Sequence, residues 1–99
     1  LGGALWEECL YDDQGQMLNA NMADYLVPMA AELPDIVCGH AVSPTADSDL
    51  GAKGAGEAGT CGAPAAVMNA LNDALSPFDA KLTGMPFTPK KILTALGRI

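Results

Sequence analysis

An α+β fold is what these 99 residues predict, and three observations predict it. The last third carries apolar residues at helical spacing, the first half carries a short β-branched run and two short runs flanking turn residues, and the length admits one domain. The expected elements are a β-hairpin, one or two further short strands, and two helices over 63–75 and 89–96.

Taken in order, LGGALWEE reads as a helix end, so a chain opening on Leu1 inside it reads as a piece of something longer. Glu8 to Tyr11 and Gln16 to Leu18 flank Asp12-Asp13-Gln14-Gly15, whose Asp and Gly residues suit a tight reversal, and this predicts the hairpin. Pro28 and Pro34 confine any helix nearby to a short piece around Met22 to Leu26. Ile36 to Val42 is short and β-branched, and predicts a strand ending near Ser43-Pro44. From Thr45 to Gly62 no periodicity survives, which predicts a long loop. Pro64 then suits a first helical position, Val67, Met68, Leu71 and Leu75 share one face, and Ser76-Pro77 stops the run. Lys81 to Met85 has room for a short strand. Thr88-Pro89 opens the second helix, which groups Ile92, Leu93 and Leu96 and closes at Gly97.

Composition excludes several function classes. The net charge of −7, with no basic cluster beyond Lys90-Lys91, disfavours nucleic acid and anionic membranes, whose phosphates repel such a chain. No apolar run approaches the roughly 20 residues needed to cross a bilayer. Cys9, Cys38 and Cys61 are widely spaced and lack a CxxC pair, which predicts packed, reduced thiols and no metal site. His40, on the expected strand, reads as a half-buried structural histidine. With 49% hydrophobic residues in so short a chain, a sizeable apolar face is expected to stay uncovered. The apolar faces of the two helices make self-association of the isolated piece an expectation.

The long loop contains the most informative stretch, LGAKGAGEAGTCGAP, Leu50 to Pro64. Gly54 to Gly59 satisfies GxGxxG, but a dinucleotide site needs a strand running into the glycines, a helix beginning among them and an acid closing a second strand. Here the nearest expected strand ends near Val42, the expected helix begins at Ala63-Pro64, and Asp73 lies inside that helix. A phosphate-cradling P-loop also fails, because Lys53 precedes the glycines instead of following them. What remains is physical: the glycines let backbone come very close to a bound molecule, and Glu57 is the one reactive side chain they present. Surroundings poor in polar groups would raise its proton affinity towards that of a general base. A solvated Glu on a flexible surface loop is the other reading of the same residues.

Four spaced motifs add a resemblance. LGAKGAGEAGT with GAPAAVMNAL, together with EECLYDDQGQML, MADYLVPMAAELPDI and MPFTPKKI, resembles the C-terminal part of the large, molybdopterin-binding subunit of the molybdenum hydroxylases. That family includes xanthine dehydrogenase, aldehyde oxidase and carbon monoxide dehydrogenase-like enzymes, and the resemblance runs in order over essentially the whole chain, residues 1–99. It implies that Glu57 is the active-site base beside molybdenum, taking a proton as oxygen is delivered to an electron-poor carbon of an aldehyde, N-heterocycle or similar small substrate. It also implies that backbone at Gly54, Ala55 and Gly56 lies against the pterin cofactor, with Lys53 as a further cofactor contact. The continuation Glu-Ala-Gly is similar to bacterial members, which implies the cytosine dinucleotide form of molybdopterin. FAD and two [2Fe-2S] clusters are implied on partner subunits or domains, beside the rest of the large subunit, and a cytoplasmic location with a periplasmic one as the variant. The 99 residues alone are expected neither to bind the cofactor tightly nor to turn over substrate. A non-catalytic structural or interaction domain with a mobile glycine loop is the rival from another class.

Overall fold

Helical periodicity folds as expected at the C-terminal end of the chain. The computed structural model describes all 99 residues, and its main elements are α1 (Gly2–Leu5), α2 (Ala58–Leu75) and α3 (Pro89–Ala95), with single 3-10 turns at Ala30–Glu32 and Ser76–Phe78. In α3 the Thr88 hydroxyl accepts a hydrogen bond from the Lys91 N–H at 3.3 Å and Pro89 takes the first turn. Gly97, at φ +64°, closes it, its N–H donating to the Thr94 carbonyl at 3.0 Å and that of Arg98 to Leu93 at 2.9 Å.

A small core forms where these elements meet. Leu75, Ala80, Leu82 and Phe87 are buried, and Val67, Met68 and Leu71 of α2, Ile92, Ala95 and Leu96 around α3, and Leu5 of α1 pack against them. The helix faces are thus partly covered from within: Val67, Met68, Leu71, Ile92 and Leu96 are half-buried, while Leu93 stays exposed. Phe87, only 1% exposed, is the centre of this core, and its N–H donates to the Ala4 carbonyl at 2.7 Å, which pins the start of the chain to its end. Gly2 is required there, since a Cβ would collide with the Glu7 carboxylate and the Pro28 ring. Lys91 adds an ion pair to Glu8 at 2.9 Å, about a third exposed on both sides and so of modest worth.

The α+β expectation is overturned, because the structure contains no β-strand. At the expected hairpin the reversal is real: the Asp12 Oδ1 accepts from the Gln14 and Gln16 N–H groups at 2.9 and 2.8 Å, and Gly15 sits at φ +80°. Only one antiparallel bridge follows, Tyr11 to Met17. The next rungs are made by a side chain, for buried Asn19 accepts from the Leu10 N–H at 2.9 Å and donates to the Glu8 carbonyl at 2.6 Å. A lone two-stranded ribbon is marginal in water, and here the amide replaces its ladder. Ile36 to Val42 is no strand either. Val37 and Val42 are 95% and 82% exposed, and no backbone of that run is hydrogen-bonded within the chain, so β propensity finds no neighbour to pair with. Lys81 to Met85 forms no strand: the chain bends at Gly84 and Met85, and Leu82 is held by the Asn72 side chain of α2, which accepts from its N–H at 2.8 Å and donates to its carbonyl at 3.0 Å.

Other expectations change as well. Around Met22 to Leu26 there is a turn nucleated by Asn21, whose Oδ1 accepts from the Ala23 N–H at 2.9 Å, and no helix. Tyr25, beside it, donates its hydroxyl to the Glu7 carboxylate at 3.0 Å, and this bond, with the neighbouring negative charge, raises its pKa. All three cysteines are exposed instead of packed, and His40 is exposed on irregular chain. Helix α2 starts five residues earlier than its expected start at Ala63, so Gly59, Cys61 and Gly62 are helical and Pro64 lies inside the helix.

The whole is far from spherical. Its radius of gyration is 17.8 Å over extents of 55 × 38 × 28 Å, where about 13 Å is usual for a compact chain of this length. The accessible surface is 7886 Å², against about 5,300 Å² for a compact protein of this mass. The excess lies in residues 9–57, which contribute only Asn19 to the buried set.

Candidate functional site

The glycine loop joins the open half of the chain to the packed one. Glu57 occupies the position just before α2, with φ −107° and ψ 9°, and its carboxylate caps no backbone N–H and forms no ion pair. Its carbonyl is doubly held from the helix side, accepting from the Thr60 N–H at 3.0 Å and the Thr60 hydroxyl at 2.9 Å. Upstream, the Ala58 N–H donates to the Ala55 carbonyl at 3.2 Å, which makes 55–58 a single tight turn. The carboxylate is therefore attached to a firm backbone yet is itself uncommitted.

Lys53, Gly54, Ala55, Gly56 and Glu57 are all exposed, and a Cβ built on Gly54 or Gly56 would meet nothing within 4 Å. The backbone between them is open to a ligand lying along it. Surroundings poor in polar groups, expected from the sequence, are not supplied by this chain; desolvation of Glu57 would have to come from what lies against the loop. The Lys53 ammonium donates to the Ser43 hydroxyl at 2.7 Å, across ten residues of chain. Ser43 is the member of this region that the sequence reading missed, taken there only as a strand end. The density of turn formers in Ser43-Pro44-Thr45-Ala46-Asp47-Ser48 was the available signal.

Two larger concavities lie elsewhere. One of about 530 Å³ opens between α3 and residues 81–84, and one of about 460 Å³ runs along residues 22–29; no residue of 53–57 lines either. No group of three His, Cys, Asp or Glu side chains is placed to hold a metal ion. A metal at this loop must arrive with its own ligands, as part of an organic cofactor, and the open glycine backbone beside a free carboxylate fits such a group. The helix beginning at Ala58 does start among the glycines, which removes one of the three arguments against a dinucleotide site. The other two stand, for no strand enters the glycines and Asp73 is within α2.

Residues 1–34 match the model of the molybdopterin cofactor-binding domain. Over 95 residues the chain is 40% identical to the nicotine 6-hydroxylase large subunit of Paenarthrobacter nicotinovorans, covering 96% of this chain and 12% of that protein. It is 36% identical over 83 residues to the carbon monoxide dehydrogenase large chain of Afipia carboxidovorans, covering 84% of this chain and 10% of the relative. Its backbone superposes on quinoline 2-oxidoreductase from Pseudomonas putida 86 with a TM-score of 0.88 at 38% identity, over 95% of this chain and 12% of that one. The chain therefore spans about an eighth of the length of these relatives, and the extended path of residues 9–57 is one that a much larger subunit also adopts.

Proposed function

Since this chain belongs to the molybdenum hydroxylase large-subunit family, we propose that its glycine loop carries the general base of an oxidative hydroxylation, Glu57. The observation that carries the reading is the placement of one uncommitted carboxylate between open glycine backbone and the first turn of the long helix α2. A base that must reach atoms on a bulky cofactor needs backbone able to approach it, and side chains at 54 and 56 would hold the cofactor off. The molybdopterin cofactor, when bound, supplies the two-electron oxidation. The chain's own part is to lay Gly54, Ala55 and Gly56 against the pterin and to accept at the Glu57 carboxylate the proton released as substrate is hydroxylated.

The relatives named for nicotine and quinoline are the support for an N-heteroaromatic substrate, with aldehydes as the neighbouring class. The relative described as a subunit of a dehydrogenase complex supports assembly with further subunits, on which we place the FAD and [2Fe-2S] groups. The cytosine dinucleotide form of the cofactor belongs to the same proposal, carried by the likeness to bacterial members. In the full-length large subunit with its partners, Glu57→Gln keeps the volume and removes the base. It is expected to lower kcat by about 10²-fold or more while molybdenum content stays at the wild-type level. Wild-type turnover in that variant would overturn the assignment and favour a non-catalytic role for the loop.

A further inference from the structure

We infer that Lys53 is a positioning residue: its ammonium clasps the two ends of the loop 43–53 and thereby sets the path of the glycines that carry Glu57. This rests on the reading of Glu57 as the base and deepens it, moving Lys53 from cofactor contact to clasp.

The loop has no apolar interior. Thr45 and Gly51 are half-buried and every other residue from Ser43 to Lys53 is exposed, so its shape depends on polar bonds. Those bonds all fall within the span from Ser43 to Lys53. The Gly51 N–H donates to the Ser48 carbonyl at 3.0 Å, the Ser48 hydroxyl to Ala52 at 3.2 Å, and the Thr45 N–H to Gly51 at 3.2 Å. Gly51 turns the chain at φ +66°, and a Cβ there would stand 3.1 Å from that of Pro44. The outermost bond is the one from Lys53 to Ser43, and it ends on the residue before Gly54.

Charge makes this choice of partner informative. All twelve acidic residues of the chain precede Lys81, and Lys53 is the only Lys or Arg among them. Surrounded in sequence by carboxylates, including Asp47 and Asp49 in its own loop, it bonds to a neutral hydroxyl, and the chain's ion pair is made by Lys91 instead. Glu57 is thus held from one side by Thr60 and from the other by a three-residue bridge whose far end is fixed by Lys53. Freeing that end lets Gly54 to Gly56 swing, and small misplacements of a catalytic group lower turnover steeply.

The test is a double-mutant cycle in the assembled full-length enzyme, with Lys53→Met, Ser43→Ala, both together, and Lys53→Arg. Each single change is expected to lower kcat about ten-fold with KM and molybdenum content unchanged, the double variant is expected to be no worse than either, and Lys53→Arg is expected to restore most of the loss. Loss of molybdenum in Lys53→Met with a silent Ser43→Ala would overturn the clasp and return Lys53 to the cofactor. Additive losses would also overturn it. Hydrogen exchange over residues 43–57 in the assembled full-length enzyme reads the clasp without reference to chemistry, and both single variants are expected to accelerate it equally; unchanged exchange would overturn the inference. If Glu57→Gln were fully active, the base reading would fail while this exchange measurement still decided the clasp.

Discussion

The two halves of this chain bury their apolar residues in opposite ways. Around α2 and α3, Val67, Leu71, Leu75, Ile92 and Leu96 find partners in Leu82 and Phe87 a few turns of chain away. Between Cys9 and Glu57, Leu18, Met22, Ile36, Val37, Val42 and Leu50 remain exposed along an extended path. A helix pairs its interior backbone groups within itself and needs only one covering face, whereas extended chain needs a neighbour for its backbone as well as for its side chains. The packed half supplies its own neighbours; the open half has the form of a segment that lies against other polypeptide, and Glu57 stands at the junction.

That contrast is broken or sharpened most strongly at Phe87. Phe87→Ala removes the one large side chain that is fully buried, and is expected to cost about 3–5 kcal/mol of stability in chemical denaturation, enough to unfold α2 against α3. A loss below about 1 kcal/mol would mean that the packed half is not packed. Asn72→Ala comes next. It leaves the Leu82 N–H and carbonyl without their partners, at an expected cost of about 1–3 kcal/mol, readable as faster amide exchange at Leu82. The smallest effect tests the open half: Val37→Ala in the 99-residue chain is expected to change stability by no more than about 0.5 kcal/mol. The same change in the full-length subunit is expected to cost more, since the segment would there be covered, and equal effects in both would dissolve the comparison.

Legibility in the sequence followed the same line. The α3 helix was readable to within a residue because its signals are local: Thr88 and Pro89 at one end, Gly97 at the other, and a period in between. The body of α2 was readable for the same reason, but its start was not. Gly59, Gly62 and Pro64 all argue against helix, and Pro64 in the interior removes the N–H that would bond to the Thr60 carbonyl. The strands failed for a different reason. A β-branched run such as Ile36 to Val42 states a preference for extended backbone, and nothing in it states whether a pairing partner exists. Likewise Asn19 and Asn72 read as ordinary polar residues, although each takes the place of a strand's hydrogen bonds.

By itself the sequence determined the helical faces, the Asp12 to Gly15 reversal, the acidic balance and the single carboxylate among glycines, because each depends on residues close together in the chain. Only the tertiary structure decided that no sheet forms, that α2 reaches back to Ala58 so that Glu57 abuts its first turn, and that Lys53 is spent on Ser43. Those outcomes depend on which distant groups come within bonding distance. A hydrogen bond across ten residues, or the absence of a neighbouring strand, is a property of the folded path and leaves no local trace in composition or spacing.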